Sequence, residues 1–178
     1  MTQLTFVPMR PDEALALRGG SDLALRTGCA ATPSLVAALE ADETEPGSVT
    51  EEAEFAALSY AAVLSLFHGS GPIRLVLAAD LESAQLVGSS PYGELHVRDL
   101  HWSQVRALFA DEAEAAEAVL RARSALAEGG QAYTLAAALE LAAVGKLIDD
   151  YDLLWFAPEE LDLVVSMSAG QPGVNRAD

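Results

Sequence analysis

Five carboxylates near the end of the chain are the first candidates for chemistry. They form two groups on either side of a short apolar segment: Asp149, Asp150, Asp152, Glu159 and Glu160. Carboxylate oxygens are the ligands that Mg²⁺ and Mn²⁺ prefer, so a convergent set of them would make a metal site. If the intervening segment 153–157 is a strand, it separates the two groups by about 16 Å. The alternative is that these residues form solvated turns of a very acidic protein.

Two histidines and one cysteine are the next reactive side chains. His96 lies between Glu94 and Arg98 on an alternating segment, and His101 follows five residues later. Two imidazoles and a carboxylate could bind zinc or transfer protons, and the alternative is that both histidines are surface residues. Cys29 could be a nucleophile if a cation or a helix N-terminus lowered the pKa of its thiol. Otherwise, a lone cysteine is typical of a small buried residue.

Motifs for serine nucleophiles and for phosphate binding are missing from the chain. Gly69-Ser70-Gly71 lacks the Gly-x-Ser-x-Gly spacing of a nucleophile elbow, and it follows a predicted helix instead of a strand. No pair of glycines belongs to a GxGxxG or Walker pattern. The sequence therefore predicts no bound cofactor and leaves open whether the protein is an enzyme.

Negative charge dominates the composition. The chain has 178 residues, with 27 Asp and Glu against 10 Lys and Arg, and its net charge is −17 at pH 7. Such a charge repels DNA, RNA and anionic lipids, which disfavours them as main partners. The single cysteine allows no disulfide within the chain, and the N-terminus lacks the pattern of a secretory signal. We therefore expect a cytoplasmic protein that binds neither nucleic acid nor membranes.

The strands and helices that must position these residues follow from the hydropathy pattern. Strand patterns occur at 2–8, 28–31, 73–79, 94–98, 103–110 and 153–157. Helices separate most of them, but the middle strands follow one another directly. This order predicts an α+β fold, with a mixed sheet of five or six strands and alanine-rich helices packed over it in two layers. We expect residues 1–167 to form a single domain and 168–178 a disordered tail.

Several apolar segments are expected to lie in the interior. The last strand, 153–157, is apolar throughout and is predicted to be buried. The helix 133–148 has more apolar residues than one buried stripe requires, so the excess could pack on a sister helix or on a partner chain across a dimer axis.

Asp111 is predicted to cap a helix over 112–128. The helix before the third strand has an apolar stripe formed by Phe55, Leu58, Ala62 and Leu66.

Four segments, taken in order, resemble a known family. They are TQLTFVP at 2–8, ATPSL at 31–35, RLVLAAD at 74–80 and LLWFAPEEL at 153–161. Together they are similar to a family of small actinobacterial proteins described only as a domain of unknown function. The Trp-aromatic-Ala-Pro-x-Glu-Leu ending is the most specific of these matches. The resemblance implies one bacterial cytosolic domain over roughly residues 4–161, and it implies no activity, substrate or catalytic residue.

The sequence favours a small cytosolic binding or accessory protein, which acts through contacts with another protein or through self-association. An apolar helical surface on a strongly anionic body suits a basic protein surface. The alternative is a small metal-dependent hydrolase that uses the acidic residues around 149–160, or His96 and His101. The two hypotheses differ in whether the fold gathers polar side chains in one cleft.

Overall fold

A single antiparallel sheet with α-helices on both faces makes up the fold. The computed structural model describes residues 1–23, 25–40, 49–129 and 133–170. The strands in these ranges are β1 (Thr2–Pro8), β2 (Arg26–Ala30), β3 (Leu75–Glu82), β4 (Leu86–Val87), β5 (Glu94–Val97), β6 (Val105–Ala110) and β7 (Leu154–Phe156). The helices are α1 (Pro11–Arg18), α2 (Pro33–Glu40), α3 (Val49–Ser65), α4 (Ala116–Glu128), α5 (Leu135–Leu139), α6 (Ala142–Asp150) and α7 (Leu161–Ser168).

The strand order confirms the α+β class and corrects the details of the sheet. The order is β4-β5-β2-β1-β3-β6-β7, and every pair is antiparallel. The sequence predicted a mixed sheet of five or six strands, whereas the described residues form seven. The connection through α1 leaves β1 and returns to the same end of the sheet, because Phe6 pairs with Cys29 and Thr5 with Ala30. A helix between two strands therefore does not make them parallel here.

Alternation along the strands divides the core between two faces. Phe6, Val76 and Ala78 lie on one face, which we call the α3 face, and α2, α3, α4, α5 and α6 contribute to its core. Val7 and Leu77 lie on the opposite face, where α1 and α7 supply the covering side chains. The two-layer packing expected from the sequence is therefore wrong, because the helices at the two ends of the chain cover the second face.

Local signals decide where several elements begin and end. The helix predicted over 133–148 is two helices, because Thr134 caps α5 by accepting a hydrogen bond from the amide of Ala137 at 3.2 Å, and the chain turns again before α6. The segment 103–110, which the sequence predicts to be a strand, contains β6 (Val105–Ala110). The predicted tail begins where α7 ends, and its residues 171–178 lie outside the described residues. None of the described helices is long and apolar enough to cross a membrane.

A buried ion pair joins the start of β3 to the end of β6. Arg74 and Asp111 have side chains that are 2% and 0% exposed, and the Nη2 of Arg74 lies 2.6 Å from Oδ1 of Asp111. Arg74 also donates its backbone amide to Asp111 at 2.6 Å and Nη2 to the carbonyl of Tyr151 at 2.9 Å. Asp111 was predicted to cap a helix. Instead, its carboxylate accepts hydrogen bonds from Arg74, because the chain turns at this residue from β6 toward α4.

A second arginine closes the C-terminal end of α3. The half-buried guanidinium of Arg123, on α4, donates to backbone carbonyls at distances of 2.8–3.1 Å. The accepting residues are Ser65, Leu66, His68, Gly69, Gly71 and Ile73. The last carbonyls of a helix have no partner within the helix, so a cation placed here satisfies them and opposes the negative end of the helix dipole.

Candidate binding surface

The five predicted metal ligands do not come together in the structure. Asp149, Asp150 and Asp152 are exposed near the end of α6, where Asp150 pairs with Lys146 at 2.6 Å. Beyond β7, Glu160 accepts a hydrogen bond from the backbone amide of Ala157 at 2.8 Å. Among the described residues, no three His, Cys, Asp or Glu side chains are grouped so that they could hold a metal ion. The predicted separation of the two groups by a strand is the reason.

The predicted histidines lie on the surface, outside any described cluster of metal-ligating side chains. His96 is exposed on β5, where it pairs with Thr27 of β2 and Val87 of β4. His101 is exposed just before a short turn, and its backbone amide donates to Oε1 of Gln104 at 3.0 Å. The alternative hydrolase hypothesis therefore has no assembled site in the described part of the chain.

Cys29 is a core residue on the α3 face. Its side chain is 0% exposed, and burial, assisted by the nearby carboxylate of Glu94, raises the pKa of its thiol far above the ordinary value of 9.0. The thiolate is the reactive form of cysteine, so at neutral pH this side chain is held in its unreactive form. The structure agrees with the prediction of a small buried residue.

An apolar groove that the sequence did not indicate lies on the α3 face. We call it the Phe55 groove; it has a volume of about 440 Å³. It is lined by Leu4, Phe6, Phe55, Leu58, Ala78, Ala107, Phe109 and Trp155, with Glu51, Glu54 and Arg106 at its polar positions. Phe55 is 67% exposed and Trp155 is 62% exposed. Two large aromatic side chains therefore stand in solvent beside an apolar part of the sheet.

The exposure of Phe55 corrects the predicted stripe of α3. The most deeply buried positions of the helix include Ala53, Ala57 and Ala61, which recur every four residues. Phe55 is about 200° around the helix from Ala53, at 100° per residue, and so points away from this alanine stripe. Small side chains let a helix approach a sheet closely, so the alanines face inward here while the larger Phe55 does not.

The exposure of β7 corrects the second burial prediction. Within this strand Phe156 is buried, but Leu154 is 42% exposed and Trp155 is 62% exposed. The reason is position in the sheet: β7 is the last strand and α3 packs on β1, β2 and β3 instead. Hydrophobicity alone cannot distinguish an interior strand from an edge strand, since both consist of apolar residues.

A second cavity shares part of its wall with the groove. It has a volume of about 310 Å³ and shares Phe55 and Leu58 with the groove. Its remaining walls come from Ser59, Ala62, Arg74, Ile148, Tyr151, Asp152 and Leu153. Phe55 and Leu58 therefore line both of these concave, mostly apolar surfaces, and Asp152 lines the second.

Several carboxylates at this surface have no ion-pair partner among the described residues. Arg106 is the cation in the lining of the Phe55 groove, and Asp80 pairs with it at 2.7 Å. Within the described part of the chain, Glu51, Glu54 and Asp152 form no ion pair. Most other described cations are held by carboxylates or carbonyls elsewhere in the fold, as in the pairs of Arg18, Arg26 and Arg121. The groove is therefore both apolar and anionic.

The fold and this surface define an α+β protein with one antiparallel sheet, part of which lies open beside exposed aromatic residues. The chain belongs to a family of unknown function, DUF6912, whose sequence model matches residues 4–165. The resemblance seen in the sequence to a domain of unknown function is thereby confirmed. Comparison with curated proteins and with solved structures gives no match.

Proposed function

We propose that this protein is a cytosolic binding protein whose Phe55 groove takes a basic, apolar segment of another protein. One observation carries the proposal: Phe55 and Trp155 are largely exposed at the border of an apolar groove. Folding does not account for them, because exposed aromatic side chains give up most of the free energy that burial would release. Aromatic side chains that border a concave apolar surface are typical of protein interfaces.

The charge around the groove supports a basic partner. Glu51, Glu54 and Asp152 have no ion-pair partner among the described residues, and the whole chain carries −17. Complementary charge steers association and selects among partners, so a cationic segment would be favoured and nucleic acid or anionic lipid would be repelled. The same repulsion disfavours a second copy of this chain, which would bring an equal negative charge to the interface.

Peptide binding tests this proposal. Fluorescently labelled peptides that alternate Lys with Val, and matched peptides with Glu in place of each Lys, would be titrated with the protein and followed by anisotropy. We expect the Lys peptides alone to bind, with an affinity that falls as salt is added. Phe55→Ala should weaken binding by about tenfold or more, as for an interface aromatic residue. Leu120→Ala, a residue 44% exposed on α4, is the matched control and should leave the affinity unchanged.

A second pair of variants separates the groove from the overall charge. Glu51→Gln and Glu128→Gln change the net charge equally, but only Glu51 lines the groove. We expect Glu51→Gln to weaken binding of the Lys peptides more than Glu128→Gln does. Equal effects of these two variants, or equal effects of Phe55→Ala and Leu120→Ala, would mean that the peptides bind the anionic body in general and would refute the groove as the site.

A further inference from the structure

The second cavity has a buried arginine in its wall, and the fold leaves one nitrogen of this arginine without a hydrogen bond. The side chain of Arg74 is 2% exposed and lines the cavity. Its Nε donates to both carboxylate oxygens of Asp111, and its Nη2 donates to Asp111 and to the carbonyl of Tyr151. The remaining nitrogen, Nη1, carries two N–H groups and forms no hydrogen bond with any described residue.

The Nη1 of Arg74 keeps some accessible surface although the side chain is almost wholly buried. Among the residues that the structure describes, the enclosed side-chain nitrogen without a partner is Nε of Arg26, and Nη1 of Arg74 is not enclosed in this way. Because Arg74 lines the second cavity and not the Phe55 groove, we place this accessible surface in the wall of the cavity. A donor at such depth costs free energy when it has no acceptor, and a molecule bound in the cavity can supply one.

Apolar side chains form most of the wall around this donor. Phe55, Leu58 and Ala62 recur at i, i+3 and i+7, so they share one side of α3. Ile148, near the end of α6, and Leu153, beyond it, supply the other apolar groups. Ala62 is buried whereas Phe55 is exposed, so the cavity runs along α3 from the interior to the surface.

The geometry points to a binding site for a small, uncharged, mainly apolar molecule whose carbonyl oxygen accepts a hydrogen bond from Nη1 of Arg74. The cavity volume of about 310 Å³ falls within the range of small-molecule sites, which combine apolar walls with a few polar groups that orient the ligand. At about 30 Å³ for each water-sized group, the cavity holds about ten non-hydrogen atoms. The rings of Phe55 and Tyr151 in its wall favour an aromatic body for the ligand.

The charges beside the cavity disfavour a charged ligand. Asp111 already neutralises the guanidinium of Arg74, so a ligand carboxylate would find no free counter-charge, and it would be repelled by Asp152 in the same wall. A ligand ammonium would face the N–H groups of Nη1 and could not accept a hydrogen bond from them. A carbonyl oxygen accepts hydrogen bonds and brings no charge, so it satisfies Nη1 without either cost.

Three molecules that share one phenyl body test the chemistry of this site. Phenylpropanamide, phenylpropanoate and phenylpropylamine differ in charge, and each would be titrated into isotope-labelled protein and followed by NMR. We expect the amide to bind in the millimolar range, as is typical for a molecule of this size, and the other two to bind at least tenfold more weakly. The Nε–H signal of Arg74 should shift on binding of the amide, because the neighbouring Nη1 gains an acceptor.

A matched pair of serine variants locates the binding in the cavity. Ser59 is half-buried and lines the second cavity, whereas Ser124 is exposed on α4 and lines neither concave surface. Ser59→Leu adds a branched apolar side chain to the wall and should lower the affinity for the amide by about tenfold or more. Ser124→Leu should leave this affinity unchanged, and so should Trp155→Ala, because Trp155 lines the groove and not the cavity. Circular dichroism would check that each variant folds.

Several results would overturn the inference. It is wrong if phenylpropanoate or phenylpropylamine binds as tightly as the amide, if none of the three binds, or if the signal of Arg74 stays in place when the amide is bound. Equal affinities of Ser59→Leu and Ser124→Leu for the amide would also refute it. If Ser59→Leu does not fold, the order of the three molecules and the Arg74 signal remain as tests. Failure here would leave the peptide groove standing, since the Lys peptides and Trp155→Ala test that site separately.

Discussion

The two ends of α3 differ in whether their side chains find partners within the fold. At the C-terminal end, Arg123 satisfies the last carbonyls of the helix and of the loop that follows. The buried pair of Arg74 and Asp111 lies where that loop enters β3 and where β6 ends. At the other end, Phe55 stands in solvent over an apolar groove whose carboxylates have no described ion-pair partner.

This comparison separates the features that stabilise the fold from the features that do not. Polar groups at the C-terminal end of α3 are paired in the way that a folded chain requires, because an unpaired buried charge is costly. The exposed aromatic residues at the other end have no such explanation in the part of the chain that the structure describes. Variants at the first end should therefore change the free energy of unfolding, and variants at the second should change binding.

The largest effect is expected at the buried ion pair. Asp111→Ala leaves the guanidinium of Arg74 buried without its counter-charge, which should lower the free energy of unfolding by about 3–5 kcal/mol. Asp80→Ala breaks the more exposed pair with Arg106 and should cost no more than about 1 kcal/mol. Urea unfolding followed by circular dichroism measures both. If Asp111→Ala does not fold, Asp111→Asn provides a milder test, and equal losses for Asp111→Asn and Asp80→Ala would contradict the argument.

A smaller loss is expected at the carbonyl cluster. Arg123→Ala removes a charged donor from the loop carbonyls, and the free energy of unfolding should fall by about 2–3 kcal/mol. Arg121→Ala, two residues earlier on the same helix, removes only an exposed pair with Glu117 and should cost about 0.5 kcal/mol or less. Urea unfolding measures both variants. An Arg123→Ala protein as stable as Arg121→Ala would show that the hydrogen bonds of Arg123 to the carbonyls do not contribute to the free energy of unfolding.

Trp155 should give the reverse pattern. Trp155→Ala should lower the free energy of unfolding by less than about 1 kcal/mol, because most of the side chain is already in water. The affinity for a Lys/Val peptide should nevertheless fall by about tenfold, as in Phe55→Ala. Peptide anisotropy and urea unfolding would be measured on the same preparation. A variant that loses stability but keeps its affinity would remove the contrast between the two ends of α3.

The smallest effect is expected at a surface pair between α1 and α7. The hydrogen bond from Arg18, at 2.7 Å, lowers the pKa of Asp162 below its ordinary value of 3.8. A carboxyl whose pKa is lower in the folded state adds stability above its unfolded pKa, and this is lost as the pH falls through the folded pKa. The melting temperature of Asp162→Asn should thus lie slightly below wild type at neutral pH and meet it in acid. A gap that widens in acid would contradict this sign.

Sequence patterns predicted the elements whose evidence is local. The alternation in 2–8 and 94–98 predicted β1 and β5, and the spacing of apolar residues over 112–128 predicted α4. The same patterns could not identify the Phe55 groove, because a helical period shows which residues share a side and not which side the sheet approaches. They also predicted a buried strand at 153–157, since an apolar run looks the same in the middle of a sheet and at its edge.

The candidate site illustrates the same limit with charged residues. Asp149 to Glu160 looked like two halves of a metal site, and the strand between them keeps the halves apart. Asp111 looked like a helix cap, but Arg74 is 37 residues away in the sequence, and no local pattern connects the two. Pairing across such a distance depends on which strands become neighbours.

The amino-acid sequence alone determined that this chain forms an α+β protein of high negative charge, with a single cysteine that cannot form a disulfide within the chain. These properties depend on composition and on periods of a few residues, which act within one element. Tertiary structure alone decided that Phe55 and Trp155 face solvent, that Arg74 meets Asp111 and that β7 ends the sheet. Each of these depends on the arrangement of elements distant in the chain, and burial is a property of that arrangement, not of a residue type.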